Sequence, residues 1–333
     1  MRGSVFHITG ANLRLGHKDV SLPKIGVQTV RESKWLVILT IGTAWLTTVV
    51  FEACGQQHCR CGQREEPFFK FMDDLHNFHR PTAQRNPYEK RIETDRHDFT
   101  QSTTTVGRGV VQVEAGYTYF YLDENEEIEH GHATPEIMLR LGLSEDIEFR
   151  LRWTYAWRFL DEENNLDSAQ DLLMSLKLAM TDQCGWTPES AFVLRGTAPT
   201  GGSNWTLGRA KMGVDLIGNY DFWEYWKFFG SSGYSQGGLG DFSLLPEEPE
   251  TENFAIWSAS LGFGVETTEN STFYSEWFAL ISDGLPNHVT VAIYNIGIDY
   301  YVTDNFVLDV RFGVGLNEQT DDFFSGIGGG LRF

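Results

Sequence analysis

The chain has 333 residues, of which 41% are hydrophobic and 14% aromatic, and its formal net charge at pH 7 is −20. This acidity argues against a protein that binds nucleic acid, since such binding is driven by lysine and arginine. The one long apolar run, Trp35 to Phe51, excludes an α-helical membrane protein with several spans. A β-barrel is not excluded, because alternation keeps the mean hydropathy of its strands low.

The apolar run near the start follows basic residues and is followed by the small residues Ala53 and Gly55. This order predicts a secretory signal peptide, with residues 35–55 as its hydrophobic region and cleavage site. A retained membrane anchor is the alternative interpretation. Because the chain before the basic residues is longer than an ordinary signal requires, we interpret residues 1–34 as an over-extended start and signal n-region.

Three cysteines and a histidine follow this exit: Cys54, His58, Cys59 and Cys61. A lipid anchor on Cys54 is disfavoured because the acidic Glu52 stands where small or apolar residues belong. A C-x-C pair with one histidine also lacks the two paired knuckles typical of a zinc site. We therefore predict no metal site and no cofactor, and interpret these thiols as disulfide-bonded or unstructured.

Residues 56–108 show no sustained hydrophobic period and are interpreted as a periplasmic lead-in or a partial plug. This stretch contains a dense run of charges at residues 92–100. The run is either a solvated linker or a segment that docks against the periplasmic mouth of a barrel through Arg96 and its neighbouring acids. The sequence leaves both alternatives open.

From Gly109 onwards, apolar and polar residues alternate strictly, which indicates strands with one apolar and one polar face. The runs are as long as the 9–11 residues that a tilted transmembrane strand needs. Twelve strands are predicted near residues 109–121, 134–143, 147–158, 171–180, 189–197, 207–218, 222–235, 253–265, 271–281, 288–301, 305–315 and 323–333.

The connections between these strands alternate in length. Short ones are predicted at residues 144–146, 219–221, 266–270 and 302–304, and longer ones include 122–133, 158–170 and 236–252. Short turns at one end and long loops at the other are typical of outer-membrane barrels, whereas a soluble sandwich predicts no such alternation. The predicted fold is therefore an all-β, antiparallel, up-and-down transmembrane β-barrel of about twelve strands over residues 109–333, located in the outer membrane.

The predicted last strand ends on Phe333 and resembles the closing strand of bacterial outer-membrane proteins, in which the terminal residue is part of an assembly signal. This implies outer-membrane lipid and the barrel-assembly machinery as partners. Aromatic residues near strand ends are predicted to form the two interfacial girdles. They are Tyr119, Tyr121, Trp153, Tyr155, Trp157, Trp257, Trp277, Tyr300 and Tyr301.

Charged residues on the polar faces are the candidates for lining the lumen. They are Glu114, Glu136, Arg140, Glu148, Arg150, Arg152, Lys177, Arg195, Glu276, Asp299, Asp309 and Arg311. With both signs present, one interpretation is a salt-bridged, closed interior in a structural or adhesion barrel. The other is a narrow pore whose opposed charges orient a small polar or amphipathic solute.

A lipid-active barrel enzyme is the third hypothesis, because some barrels carry a serine and a histidine at their lipid face. Within the predicted barrel the imidazoles are His130, His132 and His288, which fall in predicted loops or at a strand end. Sequence spacing places no serine beside them. We therefore predict that the chain is not an enzyme.

Residues 92–100 resemble the segment E-T-D-R-P-D-F-T found at the start of many members of the phenol-degradation meta-pathway family of proposed outer-membrane transporters. Residues 274–278, 308–311 and 321–324 are also similar, so the resemblance covers roughly residues 92–333. His97 departs from the family's proline. The resemblance implies an outer-membrane barrel that admits small compounds, aromatic ones among them, and it carries over no catalytic residues. The predicted function is a passive channel or transporter for a small solute.

Overall fold

The computed structural model describes residues 86–96, 99–124, 127–159, 165–183, 185–203, 205–206, 208–236, 254–283 and 290–333. The predicted signal segment, the cysteine cluster and His288 lie outside these described residues. No helix within the described ranges has the length and hydropathy required to span a membrane.

The described residues form thirteen β-strands, in agreement with the predicted all-β class. They are β1 (Val111–Glu124), β2 (Glu127–Gly142), β3 (Ile147–Phe159), β4 (Asn165–Ala169), β5 (Leu172–Thr181), β6 (Glu189–Ala198), β7 (Lys211–Trp223), β8 (Trp226–Gln236), β9 (Ala255–Thr268), β10 (Ser271–Asp283), β11 (Thr290–Thr303), β12 (Phe306–Gly315) and β13 (Phe323–Arg332).

Antiparallel pairing links each strand to its neighbours and closes the sheet, because β1 pairs with both β2 and β13. The short strand β4 pairs with residues 155–159 of β3, and β5 pairs with residues 147–152 of the same strand. These two strands therefore share one position in the sheet. The closed barrel has twelve positions, which confirms the predicted count.

The predicted long loop at residues 122–133 is wrong. Strand β1 continues to Glu124 and β2 begins at Glu127, so His130 and His132 lie in a strand. The register between β2 and β3 shifts between Ala133 and Glu136, which marks a β-bulge. A bulge adds one residue to the strand. Odd-numbered residues that face lipid on one side of it therefore face the lumen on the other side, and the alternation in sequence is broken there.

Two further boundaries differ from the prediction. The predicted loop 158–170 contains β4, and the turn predicted at residues 219–221 lies at 224–225, between Trp223 and Trp226. These two tryptophans are cross-strand partners. Aromatic side chains suit a paired strand, so pairing continues beyond the polar residues that resembled a turn.

Burial in the barrel is the inverse of that in a soluble protein. Outward apolar side chains are exposed, with Leu308 at 45% and Ile298 at 51%, whereas Glu114 and Lys177 are 0% exposed. A continuous apolar exterior of this kind is stable against lipid and costly against water. The charged groups therefore line the interior, and the apolar faces form the lipid surface.

Large inward-facing side chains lie against glycines on the neighbouring strand. Phe324 is the cross-strand partner of Gly313, and a Cβ at that glycine would lie 2.0 Å from the phenyl ring. Phe120 and Gly131 form a similar pair, with a distance of 3.2 Å between the two Cβ positions. The ring of Phe324 therefore lies over Gly313, where a larger residue would displace it.

Candidate functional site

Residues 92–106, which we call the luminal segment, lie inside the barrel. The structure describes this segment apart from residues 97 and 98. It hydrogen-bonds to inward side chains of β1 at Glu114, β5 at Lys177 and β10 at Glu276. Because these strands lie at separate positions around the closed sheet, one short segment can reach them together only from the lumen.

The carboxylate of Asp95 is surrounded by three cations from three strands. It accepts a hydrogen bond from Lys177 Nζ at 2.9 Å, contacts Arg150 Nη2, and lies 3.4 Å from Arg140 Nη1. The four side chains are at most 3% exposed. Burial alone would raise the pKa of the Asp95 carboxyl, but the three cations outweigh it and hold the pKa well below its usual value.

Glu148 completes this ionic cluster from the barrel wall. Its Oε1 atom accepts from Arg140 Nε at 2.7 Å and from Arg150 Nε at 2.5 Å, while its Oε2 accepts from the backbone N–H of Val106 at 2.7 Å. The positive charges on β2, β3 and β5 are therefore balanced partly by the wall and partly by the luminal segment. Buried cations of this density need such partners.

Arg96 has the reverse arrangement of Asp95: here the luminal segment supplies the cation and the wall supplies the carboxylates. Its guanidinium donates to Glu136 Oε2 at 2.7 Å and contacts Asp309 Oδ1. The guanidinium lies over two inward glycines, Gly116 and Gly328. A Cβ atom added at Gly116 would lie 2.4 Å from Arg96 Cζ, and one added at Gly328 would lie 2.2 Å from Arg96 Nη2. The glycines of β1 and β13 therefore create the space that the guanidinium occupies.

Carboxylates of the wall also bind the backbone of the luminal segment. Glu114 Oε2 accepts from the N–H groups of Asp95 and Arg96, both at 2.8 Å. Glu276 accepts from the N–H groups of Phe99 at 3.1 Å and Thr100 at 2.6 Å. The luminal segment therefore supplies hydrogen-bond donors to these buried acids, in addition to those of the wall: Gln112 and Arg140 on Glu114, and Asn295 on Glu276.

An apolar layer lies in the half of the lumen farther from the chain ends, below the buried Arg158–Asp321 pair. Its buried residues are Phe120, Ala133, Ala156, Trp205, Phe254, Ile256, Phe278, Leu280, Val291, Ile293 and Phe324. Phe99 of the luminal segment packs against it, stacked on Phe278 with ring centroids 4.3 Å apart and edge-on to Phe324 at 6.0 Å. The lumen thus has a charged layer and an apolar layer in series.

Sequence reasoning missed this apolar layer, although a signal was present. Glu276, Phe278 and Leu280 are alternate residues of β10, so they share one face. Assigning the inward face by its charge identified Glu276 and left the two apolar residues beside it unused. Alternate-residue counting from each luminal charge would have found them.

All twelve candidate residues lie on the inward face. The ones that surround the luminal segment or bond to it are Glu114, Glu136, Arg140, Glu148, Arg150, Lys177, Glu276 and Asp309. Arg311 lies next to them, 3.7 Å from Glu136. Arg152 is half-buried opposite Met138, Arg195 pairs with Asp215 at 2.9 Å, and Asp299 is half-buried in a separate part of the lumen.

Two other predictions concern the barrel seam and the girdle. Phe333 is 60% exposed and its N–H donates to the carbonyl of Val111 at 2.8 Å, beside the β1–β13 closure. The prediction that Tyr301 belongs to the girdle with Tyr300 is wrong: Tyr300 faces lipid, whereas Tyr301 lines a luminal cavity. Consecutive residues of a strand point to opposite faces, so both cannot face outward.

Asp321 lies beyond the strands at the end of the barrel opposite the chain ends. It contacts Arg158, which also lies 3.6 Å from Glu129. Burial raises the pKa of Asp321 to about 6 from its usual 3.8, with Glu129 and Asp322 adding to the rise and Arg158 opposing it. The group therefore binds a proton more tightly in the folded chain.

This pKa predicts that acidification stabilises the folded barrel locally. The stabilisation is complete below about pH 3.8 and is lost as the pH rises through about 6. We expect more folded, heat-modifiable barrel to survive heating at about pH 5 than at about pH 7.5. Asp321→Asn is expected to flatten this dependence and Glu318→Gln, at an exposed acid of the same loop, to retain it. Equal pH slopes in wild type and Asp321→Asn would contradict the prediction.

Residues 94–333 match the family described as "Putative MetA-pathway of phenol degradation". The fold is similar to that of an outer membrane channel from Pseudomonas putida F1, with a TM-score of 0.57 and 12% identity over 72% of this chain and 100% of that chain. The NanC porin (TM-score 0.43, 8% identity, 67% of this chain and 98% of that chain) and the β domain of the Bordetella autotransporter BrkA (TM-score 0.44, 14% identity, 68% and 100%) are more distant.

No curated protein matches the chain significantly in sequence. The likeness to the Pseudomonas channel establishes the fold of an outer-membrane β-barrel, as the alternation of residues predicted. The family match begins within the luminal segment and continues to the last strand, so it includes Asp95 and Arg96 as well as the wall residues that bind them. The chain belongs to the family "Putative MetA-pathway of phenol degradation", in agreement with the resemblance at residues 92–100.

Proposed function

We propose that this chain is a passive outer-membrane channel for small amphipathic solutes, aromatic ones among them, and that the luminal segment is its plug. The plug is held by ion pairs, hydrogen bonds and one aromatic stack, and none of its described residues, 92–96 and 99–106, belongs to a strand. It can therefore leave the lumen without breaking the pairing of the barrel. This separability is the observation that carries the proposal.

The two layers of the lumen support the amphipathic class of solute. A strongly polar solute would lose hydration in the apolar layer around Phe278 and Phe324, and a purely apolar one would gain nothing from the charges around Glu148. A molecule with an apolar body and a polar group has favourable contacts in both layers. A barrel of twelve strands is also wider inside than the eight-stranded kind that side chains fill.

The remaining partners follow from the exterior. We propose that lipid of the outer membrane contacts the apolar outward faces and that Phe333, next to the closing seam, serves the barrel-assembly machinery as a signal. We also propose that the chain is not an enzyme. His130 and His132 face outward, and their Nδ1 atoms contact the hydroxyls of Tyr119 at 2.6 Å and Tyr117 at 2.8 Å, so these imidazoles are paired with phenols on the lipid face and not with a serine.

A structural or adhesion barrel with a permanently closed lumen is the second candidate. It is favoured by the burial of Arg96, Arg140 and Lys177, each at most 2% exposed with the plug in place. The two candidates differ in whether the plug ever leaves. In the channel, plugged and open states exchange, whereas in the structural barrel the plug is a constant part of the interior.

Single-channel recording in planar bilayers tests the channel function. We expect the refolded protein to give infrequent, discrete current steps, because the plugged state predominates. Arg150→Ala and Asp309→Ala are expected to change the ion selectivity of these steps, since they remove opposite charges from the lumen. A folded, heat-modifiable barrel that remains silent, also after the plug is destabilised, would overturn the channel function in favour of the structural barrel.

A further inference from the structure

The luminal segment leaves a cavity of about 80 Å³ beside it, away from the ionic cluster. The cavity lies between residues 100–103 and inward residues near the ends of β7, β8, β10 and β11 that face the chain-terminal side of the barrel. Glu93 and Lys227, which are among its lining residues, have side chains that are each 36% exposed. The cavity is therefore reached from the side on which the luminal segment enters.

Glycines in the wall of this cavity leave room for large side chains of the neighbouring strands. Three large inward side chains each lie over a glycine that is their cross-strand partner: Lys227 over Gly264, Phe229 over Gly262 and Tyr274 over Gly297. A Cβ atom added at these glycines would lie 2.9, 2.5 and 2.2 Å, in the same order, from the side chain above it. A residue larger than glycine at any of these positions would push the opposing side chain into the cavity. The free volume is thus a consequence of the residues of the wall.

The charged groups that line the cavity are predominantly acidic. Glu93 and Asp299 contribute two carboxylates against the single ammonium of Lys227, which lies 3.7 Å from Glu93. Asn219 Oδ1 is buried and has no hydrogen-bond partner among the described residues. This balance favours a ligand that donates N–H groups and carries positive charge. The rings of Phe229 and Tyr274 offer apolar surface beside these acceptors.

We propose that this cavity binds small amphipathic organic cations, with the N–H head directed to Glu93, Asp299 and Asn219 and the apolar body against the aromatic rings. A dry cavity of about 150 Å³ holds one benzene, so the smaller volume takes the cationic head while part of the body remains towards the opening. Its role as a stage of permeation rests on the proposed channel function. Binding itself requires only the folded barrel with its plug in place.

Titration calorimetry of the refolded full-length protein in detergent tests the site. Benzylammonium, benzyl alcohol and benzoate share a ring and differ in charge, and we expect benzylammonium to bind at least about tenfold more tightly than benzoate. Asp299→Asn is expected to weaken benzylammonium binding by about three- to tenfold, and Lys227→Met to strengthen it by removing a like charge. Asp283→Asn, the same change at an exposed acid at the far end of β10, is the control and should leave binding unchanged.

Each outcome decides the assignment, provided that each protein remains heat-modifiable. Tighter binding of benzoate, abolished by Lys227→Met, would overturn the cation site in favour of an anion site. Equal affinities in Asp299→Asn and Asp283→Asn, or no binding of any of the three compounds, would also overturn it. If Asp299→Asn does not fold, the sign of the Lys227→Met effect decides. Channel currents without benzylammonium binding would overturn this site alone, and binding without currents would overturn only the channel function.

Discussion

Asp95→Ala is expected to release the plug and to raise the open probability of the channel more than any other single substitution. The change leaves Arg140, Arg150 and Lys177 buried around Glu148 without the carboxylate that they share. Removing one partner of a buried ion pair costs about 3–5 kcal/mol. Asp95 belongs to no strand, so this cost falls on the plugged state, whereas water solvates the cations once the plug has left.

A cost of this size corresponds to an increase of about 10²- to 4 × 10³-fold in the ratio of open to plugged barrels. Single-channel recording measures it directly as open probability. Glu89→Ala is the matched control, because it removes the same charge from an exposed position ahead of the luminal segment. If Asp95→Ala gives a heat-modifiable barrel with the open probability of Glu89→Ala, residues 92–106 do not gate the lumen.

Gly116→Val, a change in the barrel wall, is expected to open the channel by displacing the plug. The Cβ of the new valine would lie 2.4 Å from Arg96 Cζ, and its three nearest atoms all belong to the Arg96 guanidinium. The guanidinium cannot yield freely, because Glu136 and Asp309 bind it from two sides. Overpacking in a tight interior typically costs about 1–3 kcal/mol, which predicts a rise in open probability of roughly 5- to 150-fold.

The control for this variant is the neighbouring residue. Ala115→Val also introduces a valine, although it adds two carbon atoms instead of three, and residue 115 faces lipid and is exposed, so this change should leave gating unchanged. The steric origin is checked by combining substitutions. Arg96→Ala alone should also release the plug, and adding Gly116→Val should then have little further effect, because the side chain that valine strikes is absent. Full additivity of the two effects would contradict the assigned contact.

Much of the barrel could be predicted because its causes are local. Leu308 and Asp309 are adjacent, so one faces lipid and the other the lumen, and the same alternation holds along most strands. The errors lie where a local rule is broken. The bulge between Ala133 and Glu136 reverses the faces within β2, and pairing of Trp223 with Trp226 extends a hairpin past its polar residues.

The luminal site could be predicted only as a set of wall residues. Glu114 and Glu276 are predicted as inward charges, but their partners include the backbone N–H groups of residues 95–96 and 99–100. Nothing in the spacing of the strands indicates which segment supplies those donors. The charged run at residues 92–100 offered Arg96 as a docking group and left its location open between a solvated linker and the barrel mouth.

Most strands, their lipid faces and the inward charges could be derived from the sequence, because each depends on residues two positions apart in one strand. The way in which these charges are balanced emerges only in the closed barrel. Arg96 meets Asp309 across 213 residues, and Asp95 meets Lys177 across 82, because closing the sheet brings distant strands around one narrow space. In that space, water is scarce and every buried charge must find a partner, so the luminal segment and the wall stabilise each other.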